Sequence, residues 1–224
     1  MEIREAMKQR HSVRRYLDKQ IEETNVKILQ NRIDQINKET GMHIQLCLNE
    51  PGAFQGMMAH YGKFRNVKNY IALIGKKNSQ LDKQCGYYGE QLVLEATLLG
   101  LSTCWVAMSY RKRKTGCVIG HDEKLCCVIA LGYGETKGIA HTSKPIEQLC
   151  EVDGEMPEWF VNAMTCVQLA PTAMNQQKFR FSLKGNKVSV RTKRGPCAMI
   201  DLGIAAYHFE AGADGYDWKW ADHS

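Results

Sequence analysis

Tyr87 to Leu101 reads as a helix that is apolar around most of its circumference, with Tyr88, Leu92, Glu95 and Leu99 stacked along one line. A helix with so little wet surface has to be covered on several sides, so the chain must build layers around it, either as a core element or at a subunit interface. Two short continuous apolar runs bracket it, Tyr70-Ile71-Ala72-Leu73-Ile74 and Cys126 to Leu131. Runs of this kind belong to strands in the middle of a covered sheet. At 224 residues, 44% of them hydrophobic, the chain is long enough for one large domain, or a domain plus a satellite, with a real core.

The remaining periodicities fill in a mixed helix and strand pattern. Residues 2 to 10 place Ile3, Ala6 and Met7 on one face of a short helix. Thr24 to Lys38 spaces Val26, Leu29, Ile33 and Ile36 for a longer one, with Gly41 as its stop. His43 to Asn49 alternates Ile44, Leu46 and Leu48 toward a core. After Pro145 the pattern restarts: Pro157 to Leu169 is helical, Phe179 to Leu183 and Lys187 to Thr192 form a hairpin across Gly185-Asn186, and Asp201 to Ala213 is a last helix. Glu95-Ala96 with Gly100 is echoed by Glu210-Ala211 with Gly215, which suggests a smaller second half, residues 151 to 224, built on similar lines to residues 1 to 150.

No apolar stretch is long enough to cross a bilayer, and Met1 to Arg15 is charged and periodic, unlike a leader peptide. A cytoplasmic protein is expected. Nine cysteines are scattered, several inside apolar runs such as Leu125-Cys126-Cys127-Val128-Ile129, and read as reduced core thiols. No CxxC pair exists, so no metal is expected. A formal net charge of +6 favours anionic partners without choosing among them. The basic run Arg111 to Lys114 lacks interleaved aromatics and reads as a solvated loop, not a nucleic-acid surface.

Three segments could carry chemistry. Arg10-His11-Ser12-Val13-Arg14 ends the first helix, and two guanidinium forks with a hydroxyl suit a phosphate monoester; an exposed basic helix end is the equal alternative. Gly100-Leu101-Ser102-Thr103-Cys104-Trp105 follows the apolar helix and could let a flat ligand lie against the backbone, or be an ordinary turn. Ala170-Pro171-Thr172-Ala173-Met174-Asn175-Gln176-Gln177 offers amides whose paired donor and acceptor suit a flavin's imide edge, or is a plain polar loop. Gly132-Tyr133-Gly134-Glu135-Thr136-Lys137-Gly138 is a turn: its glycine spacing is one residue too long for a dinucleotide fingerprint and no helix follows.

Taken together, these segments resemble the FMN-dependent nitroreductase family. Arg10 to Arg14 is similar to its phosphate-binding start, and Tyr88 to Trp105 to its central helix and flavin-covering loop. Leu131 to Glu135 with Lys144-Pro145 resembles its strand exit and basic tail, and Ala170 to Phe179 its proline, asparagine and glutamine segment. That last segment lies late in the chain, whereas ordinary members carry it soon after the N-terminal arginines, so the resemblance is to a rearranged branch with two related halves.

The resemblance implies an α+β fold, a sandwich with a central, mainly antiparallel sheet flanked by helices, assembled as a homodimer whose partner would cover the apolar helix. It also implies FMN held by Arg10, His11, Ser12, Arg14, Leu101, Ser102, Thr103, Pro171, Thr172, Asn175 and Gln177. NADH or NADPH would be the donor and a small electron-poor molecule, a nitro compound or quinone, the acceptor, with no residue acting as acid or base. The alternatives are a related flavoprotein reductase for other acceptors, and a non-catalytic protein that binds through its basic patches.

Overall fold

The computed structural model describes residues 2–221. Its helices are α1 (Ile3–Gln9), α2 (Glu23–Thr40), α3 (Met57–Tyr61), α4 (Leu81–Leu98), α5 (Ile146–Leu149), α6 (Glu158–Val167) and α7 (Ala198–Gly212). Its strands are β1 (Gln45–Cys47), β2 (Asn69–Lys76), β3 (Ser102–Val106), β4 (Glu123–Gly132), β5 (Cys150–Val152), β6 (Phe179–Lys184), β7 (Lys187–Thr192) and β8 (Lys219–Trp220). They gather into two compact units: Gln9–Leu81 with Gln91–Ala140, and Glu2–Lys8 with Asp82–Glu90 and the chain from His141 onward. In place of one cut near residue 150, the second unit recruits two earlier segments. Arg4 of α1 shows why, donating from Nε and Nη2 to the carbonyls of Ala211 and Gly212 at 3.3 and 3.1 Å; an interleaved unit of this kind leaves no mark in local composition.

The first unit is built on a wholly antiparallel sheet in the order β1-β2-β4-β3. β2 and β4, the two apolar runs, form its centre, and seven of the eight β2 residues are buried. Phe54, Tyr70, Val106, Tyr110 and Val128 share one core cluster, and burying each such side chain contributes roughly 1.5–3 kcal/mol. α2 sets Leu29, Ile33 and Ile36 inward and stops where Gly41 turns left-handed at φ 69°. Its last turn also controls how β1 begins. The Asn37 amide brackets the backbone of Ile44, donating to its carbonyl at 2.8 Å and accepting from its N–H at 2.8 Å. The expected strand from His43 to Asn49 is thereby cut to three residues: Ile44 and Cys47 take the buried positions, while Leu46 and Leu48 are half-buried.

The second unit holds a mixed sheet, β5-β6-β7-β8, in which the β6–β7 hairpin is antiparallel and the two outer pairings are parallel. α6 and α7 cover it. Phe181 of β6 stacks on Phe209 of α7 at 4.9 Å, and Trp159, Trp218 and Trp220 complete an aromatic cluster around Phe209. α7 starts at Ala198, three residues ahead of the expected Asp201, and the echo with α4 falls at equivalent places. Gly100 (φ 75°) and Gly215 (φ 82°) each follow a helix, and each precedes a strand that carries a tryptophan, Trp105 and Trp220.

α4 begins at Leu81, six residues before Tyr87, because a polar first turn hid its start. No residue from Cys85 to Leu99 is exposed. Its first half crosses α7 at two glycines. A Cβ at Gly86 would collide with the Ile200 carbonyl, and one at Gly203 would collide with the Lys83 carbonyl and lie 2.7 Å from the Tyr87 nitrogen. The two backbones therefore touch, while Tyr88, Glu95 and Leu99, the line read from the sequence, remain half-buried.

One expectation follows from the hairpin's exposed face. Arg180 and Arg191 stand directly opposite each other in the β6–β7 register, and like charges so placed repel. Glu151 of β5 resolves this, accepting from Arg180 Nε at 3.3 Å, Arg191 Nη2 at 3.0 Å and Ser182 Oγ at 2.7 Å. The Ser182 hydrogen bond, then the two guanidinium groups, hold its carboxyl below the usual 4.5. A carboxylate with a depressed folded pKa stabilises above its unfolded pKa, and that contribution is lost as pH falls through the folded value. Thermal scans should therefore place Glu151→Gln below the parent at pH 7, with the gap closing as pH drops below 4.5. A gap independent of pH would rule out this role for the charge.

Candidate cofactor site

In the first unit the arginine-rich segment is laid against a strand. Ser12 and Thr103 form an isolated parallel bridge, and the Val13 N–H donates to the Thr103 carbonyl at 3.0 Å. Tyr16 bridges Gly134 antiparallel, the Leu17 N–H reaches the Tyr133 carbonyl at 2.8 Å, and the Glu135 N–H reaches the Arg15 carbonyl at 2.9 Å. Residues 12 to 17 are thus held between β3 and the turn after β4. That turn, read from sequence as simple punctuation, has a packing role. A Cβ on Gly134 would sit 2.7 Å from Ser102 Oγ, and one on Gly138 would sit 2.7 Å from His11 Cβ. Only glycine permits the approach.

The expected covering loop after α4 is not a loop. Ser102 and Thr103 open β3, paired with Gly132 and Leu131 of β4; small polar residues concealed a strand start that ladder pairing supports. Leu101 is buried at 3% and its N–H is bonded to the Ala96 carbonyl at 2.9 Å, so it packs the helix end and turns nothing toward a ligand. Thr103 Oγ1 is different. It is buried and has no hydrogen-bond partner among the described residues, and such a group costs about 1–3 kcal/mol unless something satisfies it.

Arg10, Ser12 and Arg14 converge beside Cys104 of β3. Burial pushes the Cys104 thiol up, while the Arg14 charge, a Ser12 hydroxyl bond and the Arg10 charge pull it back, in that order. Burial also raises Tyr16 well above its usual value, Cys104 adds to this, and Arg14 opposes it; the Tyr16 hydroxyl donates to the Val13 carbonyl at 2.7 Å. Arg10 is buried, His11 and Ser12 are half-buried, and Arg14 is exposed, its carbonyl accepting from the Arg65 N–H at 2.9 Å and its side chain making no hydrogen bond or ion pair among the described residues. Two guanidinium groups and a hydroxyl thus lie on one short stretch of ladder, a donor set suited to an anion; Thr103, next to Cys104 in β3, turns its side chain to the other face of the strand.

In the second unit, Pro171 to Gln177 forms a tight loop with a single helical turn at Ala173–Asn175. Met174 and Asn175, both at φ 53°, and Gln177 at φ 43° are left-handed without being glycine. The Gln177 amide is wholly internal: Nε2 donates to the Thr142 carbonyl and Asn175 Oδ1 at 2.9 and 2.8 Å, and Oε1 accepts from the Lys144 N–H at 2.9 Å. Gln177 therefore shapes the loop and presents nothing outward. Asn175 is exposed, with Nδ2 given to the Thr142 carbonyl at 2.9 Å, while Pro171 and Thr172 are half-buried. Sequence reading missed Asp201, taken there only as a helix start. It is buried and accepts from the Ala173 N–H and Gln176 Nε2 at 3.0 and 2.7 Å.

The family described as "Putative TM nitroreductase" matches this chain over residues 2–213. The chain belongs to that nitroreductase family. A nitroreductase structure from Thermotoga maritima MSB8 superposes with a TM-score of 0.66 at 24% identity, covering 95% of this chain and 83% of its own. A nitroreductase from Desulfovibrio desulfuricans in complex with FMN gives 0.53 at 16% identity over 70% of this chain and 99% of its own. A nitroreductase family protein from Streptococcus pneumoniae TIGR4 gives 0.52 at 15% identity, over 66% and 98%. These likenesses carry the fold, the mixed helix and sheet architecture of nitroreductases. No curated protein matches the chain.

Proposed function

We propose that this nitroreductase-family chain is an FMN-dependent oxidoreductase that takes electrons from NADH or NADPH and passes them to a small electron-poor acceptor such as a nitro compound or a quinone. The observation that carries the reading is the Ser12–Thr103 bridge, which gathers Arg10, Ser12 and Arg14 around Cys104 of β3, with the Arg14 side chain unpaired among the described residues. A phosphate monoester, close to doubly charged and rich in acceptors, satisfies all of these together. The residues present therefore fit FMN.

In this reading Arg10, Ser12 and Arg14 bind the phosphate, His11 lies toward the ribityl chain or ring edge, Ser102 and Thr103 border the flavin, and Thr172 and Asn175 meet its polar edge across the dimer. Held by these residues, FMN would supply the hydride and electron transfer chemistry. The protein binds, orients and polarises, and no side chain is needed as acid or base. Nine cysteines held as thiols, not disulfides, fit a reducing compartment such as the cytoplasm, and no helix among the described residues is long and apolar enough to cross a membrane. The homodimer implied by the family resemblance belongs to the same reading.

Gel filtration of protein incubated with FMN, with flavin absorbance and light scattering read together, tests both points. Flavin should co-elute with a species of twice the 25.4 kDa chain mass. A colourless protein peak with excess FMN present would defeat the cofactor assignment, and a flavin-bearing peak at the single-chain mass would defeat the dimer. Arg14→Ala should weaken FMN binding roughly 10- to 100-fold, the loss of one hydrogen bond to a charged group. Because Arg14 is exposed, its unfolding free energy should stay within about 0.5 kcal/mol of the parent's. Identical FMN titrations would remove Arg14 from the site.

A further inference from the structure

We propose that Asp201 is the positioning residue of the Thr172–Gln177 loop, holding it in the shape that meets the cofactor; this rests on the FMN reading above. Three non-glycine residues within four positions, Met174, Asn175 and Gln177, have left-handed backbones. Side chains with a Cβ resist that region, so the shape persists only where surrounding contacts over-determine it. The contacts come from two sides. On one, the segment around Thr142 and Lys144 closes over the loop: Thr142 takes the Gln177 and Asn175 amides, and Lys144 Nζ reaches the Gln176 and Gln177 carbonyls, both at 3.0 Å. That segment is itself irregular and is tied in turn to Gln168 at the end of α6, through the Ser143 hydroxyl and the Lys144 carbonyl, both at 2.7 Å.

The other side is Asp201, the tie from the loop to a long regular element. It sits in the first turn of α7, 3% exposed, with both carboxylate oxygens engaged. Oδ1 receives the Ala173 N–H at 3.0 Å and Oδ2 receives Gln176 Nε2 at 2.7 Å, while the same Nε2 also donates to the Pro196 carbonyl at 3.0 Å. These two bonds clamp the residues on either side of the left-handed pair. Burial raises the Asp201 carboxyl, and the Ala173 and Gln176 bonds, with Lys178 nearby, oppose the rise. A buried carboxylate kept at this desolvation cost is better explained by the two loop donors it fixes than by helix-dipole complementarity, which an exposed acid supplies equally well.

Two measurements on the full chain separate this role from general stability. The first is hydrogen exchange of the FMN-free protein. Asp201→Ala should speed exchange across residues 172 to 177 while leaving β2 and β4 protected, and Asp201→Asn, which keeps an acceptor for the Ala173 N–H, should change it little. The second is FMN titration well below the unfolding temperature. Asp201→Ala should weaken FMN about tenfold or more, equivalent to about 1.4 kcal/mol, and Asp201→Asn less than about threefold. Adding Met174→Gly to Asp201→Ala should recover part of the loss, because glycine enters the left-handed region without a Cβ clash. Unchanged loop exchange in Asp201→Ala would overturn the hold on the loop. Faster exchange with unchanged FMN affinity, or no recovery by Met174→Gly, would overturn the link to the cofactor. A parent that binds no FMN defeats the functional reading, and with it that link, while the exchange result still decides the hold on the loop.

Discussion

Gly203→Ala should lower the unfolding free energy by about 3 kcal/mol, the upper end of overpacking costs. In a chain of this size that corresponds to roughly 6–12 °C in melting temperature. The new methyl would meet the Lys83 carbonyl and the Tyr87 nitrogen, and neither can swing aside as a side chain would. The helices must separate instead, opening contacts along α7, where most residues are buried. Alanine's better helix propensity returns only about 1 kcal/mol, which does not reverse the sign. Gly86→Ala should behave alike, since its methyl would meet the Ile200 carbonyl. The double variant should cost less than the sum, because helices already forced apart accommodate the second methyl. Differential scanning calorimetry decides the matter: a Gly203→Ala protein melting at the parent temperature would show that the crossing is not tight.

The second large effect is expected at Glu90. Its carboxylate lies 3.0 Å from His208 Nε2, and both side chains are fully buried. His208 Nδ1 lies 2.9 Å from the Cys166 carbonyl. A carbonyl only accepts, so Nδ1 carries a hydrogen, and the Nε2–Glu90 contact must then hold one shared proton for both groups to be satisfied. Glu90→Ala removes that partner from a buried imidazole and should cost about 3–5 kcal/mol. Glu90→Gln can still donate to Nε2 from its amide and should cost about 1.5 kcal/mol or less. Urea unfolding of the two variants against the parent gives the difference directly. Equal losses would mean that an amide cannot stand in for the carboxylate at Nε2, because glutamine keeps the volume of the side chain.

The central strands and the hairpin were legible in the sequence because continuous apolar runs and a Gly-Asn turn are local signals. The start of α4 was not, because Leu81 to Gln84 looks polar and is held helical by packing further along. β3 was missed for the converse reason: Ser102 and Thr103 look like a loop, and their strand state depends on β4 residues some thirty positions later. At the candidate site the donors Arg10, Ser12 and Arg14 were visible as a cluster of types. Their attachment to Thr103, and the glycines that make room for them, are pairings no single segment reveals. Gln177 shows the limit in the other direction. Its residue type suits ligand recognition, but only the fold shows that its amide is used up inside the loop.

The bracket that Asn37 places on Ile44 bears on how copies of this chain behave together in concentrated solution. β1 is an outer strand of its sheet, and an open strand edge is a template for pairing with another molecule. Here the N–H and carbonyl of Ile44 are capped by a side chain from the preceding helix, and the Gln45 amide is tied to the backbone of Val118. Asn37 thus takes up two backbone groups that an open edge would otherwise offer to a second copy of the chain.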